Sequence, residues 1–216
     1  MKNIPMFTSA YGIATLILRE IPWNGSAYVL VRSVWNDQAA ALLEECRGFC
    51  RAVGAQAVFA AYDTEELPAE HAYDMIRMCR PKAGLPLPET LELVPLTPEN
   101  SDAYLEIYNC CFKTVPSAAS YDRSSLEPLY GEDLAWLAQK NGTFAGVAEI
   151  SKEGLEGIAV LPEFRGLGRD LALAVLHMVP SPMLRLKVAS TNDRAIALYE
   201  RLDFQVESLE KRWYRL

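Results

Sequence analysis

The sequence lacks the long apolar runs that cross membranes. None of its segments approaches the roughly 18 consecutive apolar residues that a membrane helix requires. The opening residues, Met1-Lys2-Asn3-Ile4-Pro5, show neither the charged start nor the apolar stretch of a secretory signal. We therefore expect a cytoplasmic protein that does not bind a membrane.

Histidine is nearly absent, and no residues have the spacing of metal ligands. His71 and His177 are the only two histidines, so a Ser-His-Asp or Cys-His catalytic site is poorly supported. The five cysteines include Cys46 and Cys50, four positions apart, and the adjacent pair Cys110-Cys111, with no histidine at a zinc-ligand spacing. We expect buried or half-buried thiols and no bound metal.

Cationic residues are too few to suggest a nucleic-acid partner. The net charge is −7, and nucleic-acid binding needs Lys and Arg clustered on one face. Half of the 216 residues are hydrophobic, which is enough to bury a core. The length allows either one large domain or two small ones.

The first half has the pattern of an α/β layered unit. Two predicted strands, 11–20 and 26–34, form a hairpin around Asn24-Gly25. Asp37 is expected to cap a helix that ends near Gly54, and a strand over 55–62 and a helix over 69–80 follow. This order predicts parallel pairing across the first helix.

Three prolines and a glycine between residues 80 and 90 interrupt both helix and strand. We therefore predict a domain boundary, with one domain over residues 1–88 and another over residues 89–216. The elements predicted after the boundary are a strand at 91–96, helices at 97–112 and 124–130, strands at 133–139, 143–150 and 155–160, a helix at 168–178, a strand at 184–188, a helix at 193–202 and a strand pair within 204–216. Because residues 133–202 repeat the order of residues 11–80, the first half is either a degenerate copy of the second or an unrelated unit.

One segment has the pattern of a phosphate-binding turn. A predicted strand reaches Pro162, passes through Arg165-Gly166-Leu167-Gly168 and enters an amphipathic helix. Glycines let the backbone approach a ligand, and the first turn of a helix offers unpaired N–H groups with positive dipole character. This arrangement suits a pyrophosphate, although many two-glycine turns merely connect a strand to a helix. The P-loop and three-glycine dinucleotide patterns are absent.

Two motifs in the second half resemble one known family. Residues 158–171 resemble the coenzyme A-binding motif of the GNAT superfamily of acyl-CoA N-acyltransferases, and residues 189–204 resemble the motif that follows it. The second stretch is particularly similar to N-terminal acetyltransferases that modify ribosomal proteins. The resemblance covers about residues 91–216 and implies a GNAT-like mixed central sheet flanked by helices, preceded by a smaller GNAT-like α/β half.

The resemblance also implies where a coenzyme would bind. Backbone groups of Ile158, Ala159 and Val160 would bond the pantetheine arm, and the strand after the helix would splay away to open a slot. The residues that the resemblance assigns to the pyrophosphate are Arg165, Gly166, Leu167, Gly168, Arg169 and Asp170. Asn192 would cap the next helix and could also reach the cofactor.

Two residues depart from the family pattern. In an ungapped reading of Gln/Arg-x-x-Gly-x-Gly/Ala, Asp170 occupies the final Gly/Ala position, where its carboxylate would compete with phosphate for the helix dipole. A second register pairs Gly166 with Gly168 and moves the departure to Glu163. Asp203 stands where the family usually has Gly before Phe204, which concerns the end of a helix.

The resemblance implies Tyr199 as the general acid that protonates the departing thiolate. The other interpretation is that Tyr199 is a packing residue on an apolar helix face. Candidate general bases are Glu149, Glu153 and Glu156, of which Glu156 is preferred because it precedes the cofactor-binding end of its strand, and a water chain could do the same work.

The sequence therefore predicts an N-acetyltransferase that moves an acetyl group from acetyl-CoA to a primary amine by direct attack. The acceptor would be a small molecule or a peptide, and the enzyme a monomer or a homodimer. The alternative is a non-catalytic acyl-CoA-binding or regulatory protein, which Asp170, the unassigned base and the absence of a phosphate-binding motif in the first half would explain.

Overall fold

The computed structural model describes residues 3–89 and 91–216. The chain divides into two compact units. The first unit contains the residues up to Met75 together with Ala189–Thr191 and Leu209–Leu216, and the second contains Ile76–Val188 and Asn192–Ser208. Met1 and Lys2, at the start that we read as lacking a signal segment, lie outside the described residues. Within the described ranges, no helix combines the length and apolar character of a membrane span.

Both strands and helices occur in each half of the described chain. The elements up to the end of the first unit's main segment are β1 (Met6–Ser9), β2 (Gly12–Ile17), α1 (Ile21–Asn24), β3 (Ser26–Val34), α2 (Ala39–Ala52), β4 (Ala57–Ala61) and β5 (Glu70–Pro81). The elements after them are β6 (Glu92–Pro95), α3 (Ser101–Phe112), α4 (Arg123–Leu126), β7 (Ala135–Lys140), β8 (Thr143–Ile150), β9 (Gly154–Val160), α5 (Gly168–Leu176), β10 (Met183–Ala189), α6 (Asp193–Glu200) and β11 (Gln205–Arg215).

The first unit is a mixed sheet with a helix packed on it. Its strand order is β1-β2-β3-β4-β11, in which β3 and β4 run parallel and the other neighbours run antiparallel. The face of α2 that meets the sheet carries Leu42, Leu43, Cys46 and Cys50, at the spacing of one helix face. Burial raises the pKa of Cys50 to about 11, so this thiol packs as an apolar group.

The second unit is a mixed sheet with helices on both faces. Its strand order is β5-β10-β9-β8-β7-β6. The buried residues of α5, including Leu171, Leu173 and Leu176, pack against one face of the sheet. On the opposite face, Tyr104, Ile107 and Tyr108 of α3 pack against β7, β8 and β9. Both faces are therefore covered, as the mixed α/β class predicts.

Most of the predicted elements are confirmed. The hairpin of β2 and β3, the parallel pairing of β3 with β4, and the Asn141-Gly142 turn between β7 and β8 are all present. The connection between β2 and β3 is not the predicted tight turn, because Pro22 starts the single helical turn α1, which Gly25 ends with a φ of 76°. Asp37 does not cap α2, whose N-cap is Gln38. Cys110 is exposed, so the expectation of buried thiols is wrong for this residue.

Two predicted elements at unit ends are wrong. The helix predicted over residues 69–80 is the strand β5, in which Ile76, Met78 and Arg80 point inward at every second position. The helix was predicted because several residue types in this segment favour helices, although its inward-pointing residues alternate as in a strand. The strand pair predicted within 204–216 is the single strand β11. The predicted boundary at residue 88 stays a prediction.

Arg80 is a buried cation that joins three segments of the second unit. Its side chain is 5% exposed, and it donates to the carbonyl oxygens of Pro81 (2.9 Å), Ala83 (3.4 Å) and Leu202. Leu202 directly follows α6, and the next residue, Asp203, has a left-handed φ of 62°. Arg80 therefore satisfies carbonyls where the chain leaves α6.

We expect Arg80→Met to lower the free energy of unfolding by about 2–4 kcal/mol, because it leaves these acceptors without their donor. Urea unfolding followed by circular dichroism measures the change. Arg47→Met is the control, since Arg47 makes only an exposed pair with Glu44, and should change the free energy by less than about 0.5 kcal/mol. Equal effects of the two substitutions would contradict the role of Arg80.

Candidate functional site

Strands β9 and β10 pair at one end and then separate. They run parallel, with Gly154 opposite Arg185 and Leu155 opposite Leu186. Within the described part of the chain their pairing ends there, although β9 continues to Val160 and β10 to Ala189. The two strands therefore enclose a wedge-shaped opening, as the splayed slot in our prediction required.

The backbone of β9 faces β8 on one side and this opening on the other. The amide of Leu161 donates to the carbonyl oxygen of Ala145 in β8 at 2.9 Å. Because successive residues of a strand direct their amides to opposite sides, Ala159 also faces β8, whereas Ile158 and Val160 face the wedge. The Val160 carbonyl oxygen accepts a hydrogen bond from Cys111 Sγ at 3.8 Å. That Ile158, Ala159 and Val160 bond a pantetheine arm stays a prediction. The Ala159 side chain packs in the core beneath α3.

The corner after β9 exposes a set of free backbone amides. A single 3₁₀ turn over Pro162–Phe164 leads to Gly166, whose φ is 112°, and α5 begins at Gly168. The amide of Leu167 donates to Phe164, and the first bond of the helix runs from Leu171 to Leu167. Among residues 3–89 and 91–216, no acceptor lies on the amides of Gly166, Gly168, Arg169 or Asp170.

Two exposed cations flank these amides in sequence, and the Asp170 carboxylate has hydrogen-bond partners of its own. Arg165 and Arg169 are exposed. The Asp170 carboxylate is 16% exposed and accepts hydrogen bonds from the Glu89 amide at 3.4 Å and from Arg169 Nη1 at 3.5 Å. An oxyanion at the amides would therefore meet two guanidinium groups, one of them partly screened by Asp170.

Tyr199 is both a packing residue and a side chain with a proton to donate. Its side chain is 6% exposed and its ring meets Phe204 edge-on, with centroids 6.0 Å apart. Burial raises the pKa of Tyr199 well above its usual value, so the phenol keeps its proton. No described residue bonds its hydroxyl. Asn192 caps the same helix, since its Oδ1 accepts from the Ala195 amide at 3.2 Å.

Glu149 and Glu156 lie near one another in the sheet but differ in environment. Glu156 is exposed, whereas Glu149 is partly buried and accepts a hydrogen bond from Tyr121 Oη at 3.0 Å. Burial raises the pKa of Glu149, the hydrogen bond from Tyr121 opposes that shift, and the charge of Glu156 adds to it. Glu149 thus has the elevated pKa of a candidate general base.

An aromatic stack that the sequence analysis missed covers Glu149. The Tyr121 ring stacks on Tyr108 at 4.0 Å, and Tyr108 lies 4.4 Å from Phe112. Two hydrogen bonds between Asn109 and the Tyr121 backbone hold the loop that carries Tyr121. The spacing of Tyr104, Tyr108 and Phe112 at every fourth position of α3 was the available signal for this stack.

In its described residues, the first unit has no equivalent opening between its parallel strands. Its parallel strands β3 and β4 pair at five successive positions, from Ser26 opposite Ala57 to Leu30 opposite Ala61. Every residue of β4 is therefore matched with β3, and no wedge forms between them.

Residues 101–204 match the family model described as the Acetyltransferase (GNAT) family. The chain is 35% identical over 89 residues to N-alpha-acetyltransferase RimI of Mycobacterium tuberculosis, a match that covers 37% of this chain and 56% of that protein. It is 33% identical over 130 residues to mycothiol acetyltransferase of Acidimicrobium ferrooxidans, covering 50% of this chain and 41% of that protein. The chain thus spans about half the length of the curated relatives it matches.

Solved structures share the fold across nearly the whole chain. A GCN5-related N-acetyltransferase from Sphaerobacter thermophilus matches with a TM-score of 0.60 at 15% identity, covering 94% of this chain and 76% of that one. A tandem GNAT protein from the clavulanic acid biosynthesis pathway matches with a TM-score of 0.54 at 17% identity, covering 96% and 79%. The predicted GNAT-like fold is confirmed.

We expect Gly154→Ala to destabilise the protein by about 2–3 kcal/mol, because an added Cβ would lie 1.8 Å from the carbonyl oxygen of Arg185, at the closed end of the wedge. Gly48→Ala is the matched control. Nothing lies within 4 Å of a Cβ added to Gly48, which is in the middle of α2, so this change should stabilise by about 0.5–1 kcal/mol. Urea unfolding of both variants tests the opposite signs, and a neutral Gly154→Ala would contradict the close approach of the strands.

Proposed function

Since residues 101–204 form a GNAT acetyltransferase domain, we propose that this protein is an N-acetyltransferase that transfers an acetyl group from acetyl-CoA to a primary amine. The observation that carries the proposal is the set of free amides from Gly166 to Asp170 beside the wedge between β9 and β10. Buried or ligand-facing backbone amides normally have a partner, so this set is suited to a bound oxyanion.

Each part of the coenzyme has residues in this site that suit it. The amides of Gly166, Gly168, Arg169 and Asp170, with the Arg165 guanidinium, would hold the pyrophosphate. The backbone of Ile158 and Val160 would bond the pantetheine arm as a neighbouring strand does. Asn192 already caps α6, so its side chain is a weaker candidate for a coenzyme contact. Bound acetyl-CoA supplies an activated thioester.

Tyr199 is our proposed acid for the leaving thiolate. The neutral acceptor amine forms the new C–N bond as the C–S bond breaks, and the sulfur leaves with a negative charge. The proton that the nitrogen loses on becoming an amide neutralises this thiolate, so that the products are the amide and a free thiol. Because the pKa of Tyr199 lies well above the value near 8.5 of a free thiol, full proton transfer to sulfur is unfavourable in isolation. The hydroxyl acts chiefly as a hydrogen-bond donor that stabilises the developing thiolate.

The proton on the acceptor ammonium goes to a carboxylate of the Glu149–Glu156 pair. Sequence position favoured Glu156, but burial and the raised pKa favour Glu149 as the base. Burial is the main cause of the raised pKa of Glu149, and the negative charge of exposed Glu156 adds to it. The aromatic rings of Tyr108 and Tyr121 shield this carboxylate from water on the α3 side.

The acceptor is a primary amine of a small molecule or a peptide, and we propose that the enzyme acts in the cytoplasm as a monomer or a homodimer. Of the two relatives named above, one is by its name an N-alpha-acetyltransferase and the other a mycothiol acetyltransferase. A second candidate function is a non-catalytic acyl-CoA-binding protein, which Asp170 in the first turn of α5 favours because it adds negative charge beside the phosphate-binding amides.

Titration calorimetry with acetyl-CoA, followed by a thiol-release assay over a panel of amines, tests the proposal. We expect binding and amine-dependent release of free thiol. Tyr199→Phe should lower kcat by roughly 10²-fold while the Kd for acetyl-CoA changes less than about twofold, because the hydroxyl acts only on the departing sulfur.

Phe204→Leu is the control for lost packing, because Phe204 contacts the Tyr199 ring but has no hydroxyl group that could donate a proton. It should lower the unfolding temperature with little effect on kcat at 25 °C. Coenzyme binding without thiol release by the wild type would establish the second candidate function, and unchanged turnover in Tyr199→Phe would remove Tyr199 from the mechanism.

The identity of the base is tested by pH profiles of kcat/KM. Activity should rise with pH as Glu149 loses its proton, at a pH above the ordinary carboxyl value of 4.5, because its folded-state pKa is raised. Glu149→Gln should lower kcat/KM about 10²–10³-fold and remove the rise of kcat/KM with pH. Glu156→Gln should keep this rise but move it to lower pH, because the variant lacks a negative charge near Glu149. The reverse pattern would assign the base to Glu156.

A further inference from the structure

Tyr104 of α3 has a buried hydroxyl group that the proposed mechanism does not use. The side chain is fully buried in the core between α3 and the sheet. Among the residues that the structure describes, none forms a hydrogen bond with its hydroxyl oxygen. Because a buried hydroxyl without a hydrogen bond is unfavourable, such a group normally has a protein or water partner. The Tyr104 hydroxyl is therefore suited to bind a small polar molecule such as water.

The ring of Tyr104 continues the aromatic stack that covers Glu149. It lies four positions before Tyr108, and the two rings are nearly parallel, with centroids 6.2 Å apart. Tyr108 in turn stacks on Tyr121, whose hydroxyl donates to Glu149 Oε2 at 3.0 Å. Glu149 is two positions after Val147, which packs beneath α3, so both side chains point to this face of the sheet. The three phenols and the carboxylate therefore form one cluster.

The neighbours of Glu149 in the sheet leave room beside its carboxylate. Ala135 of β7 and Gly157 of β9 are the residues directly opposite Glu149 in the two flanking strand pairs. A Cβ added to Gly157 would be in ordinary contact with the Phe112 ring, at 3.4 Å. Since neither neighbour has a long side chain, neither covers the carboxylate, and a water molecule has space to reach it.

The negative charge of Glu149 acts on the Tyr104 hydroxyl. Burial raises the pKa of Tyr104 well above its usual value, and the charges of Glu149 and Tyr108 add to the shift. The phenol therefore keeps its proton and is a hydrogen-bond donor. The other titratable groups around Glu149 are Tyr108 and Tyr121 on the α3 side and Glu156 in β9.

We propose that Tyr104 is a positioning residue for the base, because its hydroxyl holds a water molecule that it shares with the Glu149 carboxylate. This inference rests on the proposed function, in which Glu149 accepts the proton of the acceptor ammonium. Tyr121 bonds Oε2, so the shared water would donate to Oε1 and fix the second oxygen. A donor to the carboxylate stabilises its charged form, so Tyr104 opposes the effect of burial without gaining or losing a proton.

The pH profile of kcat/KM tests the role of Tyr104. Tyr104→Phe keeps the ring and removes the hydroxyl, so Glu149 should lose its proton at a higher pH. We expect the rise of kcat/KM to move up by roughly half a pH unit, while kcat/KM above the rise stays within about twofold of wild type. Tyr130→Phe is the matched control, because this phenol bonds Ser101 Oγ at 2.8 Å, and it should leave the profile unchanged. An unchanged profile in Tyr104→Phe would overturn the proposal.

Thermal unfolding measures the same interaction without any turnover. Removing a hydroxyl that has no partner should leave the unfolding temperature unchanged or raise it. If the hydroxyl holds the shared water, Tyr104→Phe should unfold about 2–4 °C lower. Because the folded-state pKa of Glu149 is raised, its charge appears only above the ordinary carboxyl value of 4.5, and the difference should grow as the pH rises from there. In a Glu149→Gln background this growth should vanish.

The two measurements separate this inference from the proposed function. A pH-dependent loss of thermal stability in Tyr104→Phe, in a protein that releases no thiol, would retain the shared water and reject the enzyme. Thiol release with the same pH profile and unfolding temperature in wild type and variant would retain the enzyme and reject the water. A crystal structure gives the direct observation, in which we expect an ordered water within hydrogen-bond distance of Tyr104 Oη and Glu149 Oε1. Tyr104 Oη without such a water would overturn the proposal.

Discussion

The separation of β9 from β10 is the constraint on which the rest of the site depends. In the described part of the chain the two strands pair at Gly154 and Leu155 alone, yet both continue for several residues. Backbone groups that face an opening are unfavourable in a protein interior unless something polar meets them, which is why we propose the wedge as a place for a ligand. The missing side chain at Gly154 lets the strands meet closely at one end, and a register shift against β8 inserts Glu156 as an extra residue of β9.

The first unit shows the same kind of sheet without that separation. It has a hairpin, a helix and a parallel strand, as the second unit has in β8, β9, α5 and β10. Its parallel strands β3 and β4 pair at five successive positions. A second group of packed side chains in this unit contains the aromatic rings of Tyr28, Phe59, Tyr73 and Trp213. We therefore propose that residues 1–88 are a degenerate GNAT-like unit that keeps the layered core and has no coenzyme slot.

The sequence could predict the parts of the site that arise from local patterns. The corner from Pro162 to Gly168 and the Asn192 cap each involve residues a few positions apart, so turn and capping preferences suffice. Strand β5 was missed because its residues favour a helix and only pairing with distant strands overrides that preference. The choice between Glu149 and Glu156 was equally out of reach, since it depends on Tyr121, 28 positions from Glu149. Position along a strand gives the face of a side chain but not what covers it.

Charge separates the two regions of the proposed site. Arg165 and Arg169 flank the free amides of the corner. Glu149 lies in β8, with Glu156 close enough for its negative charge to add to the raised pKa of Glu149. An anionic coenzyme would be drawn to the corner and an acceptor ammonium to the acidic pair, so opposite local charges would orient the two substrates. Since the net charge of the chain is −7, the cations at the corner oppose the overall charge of the protein, and they would therefore act on the coenzyme locally, at the amides that they flank.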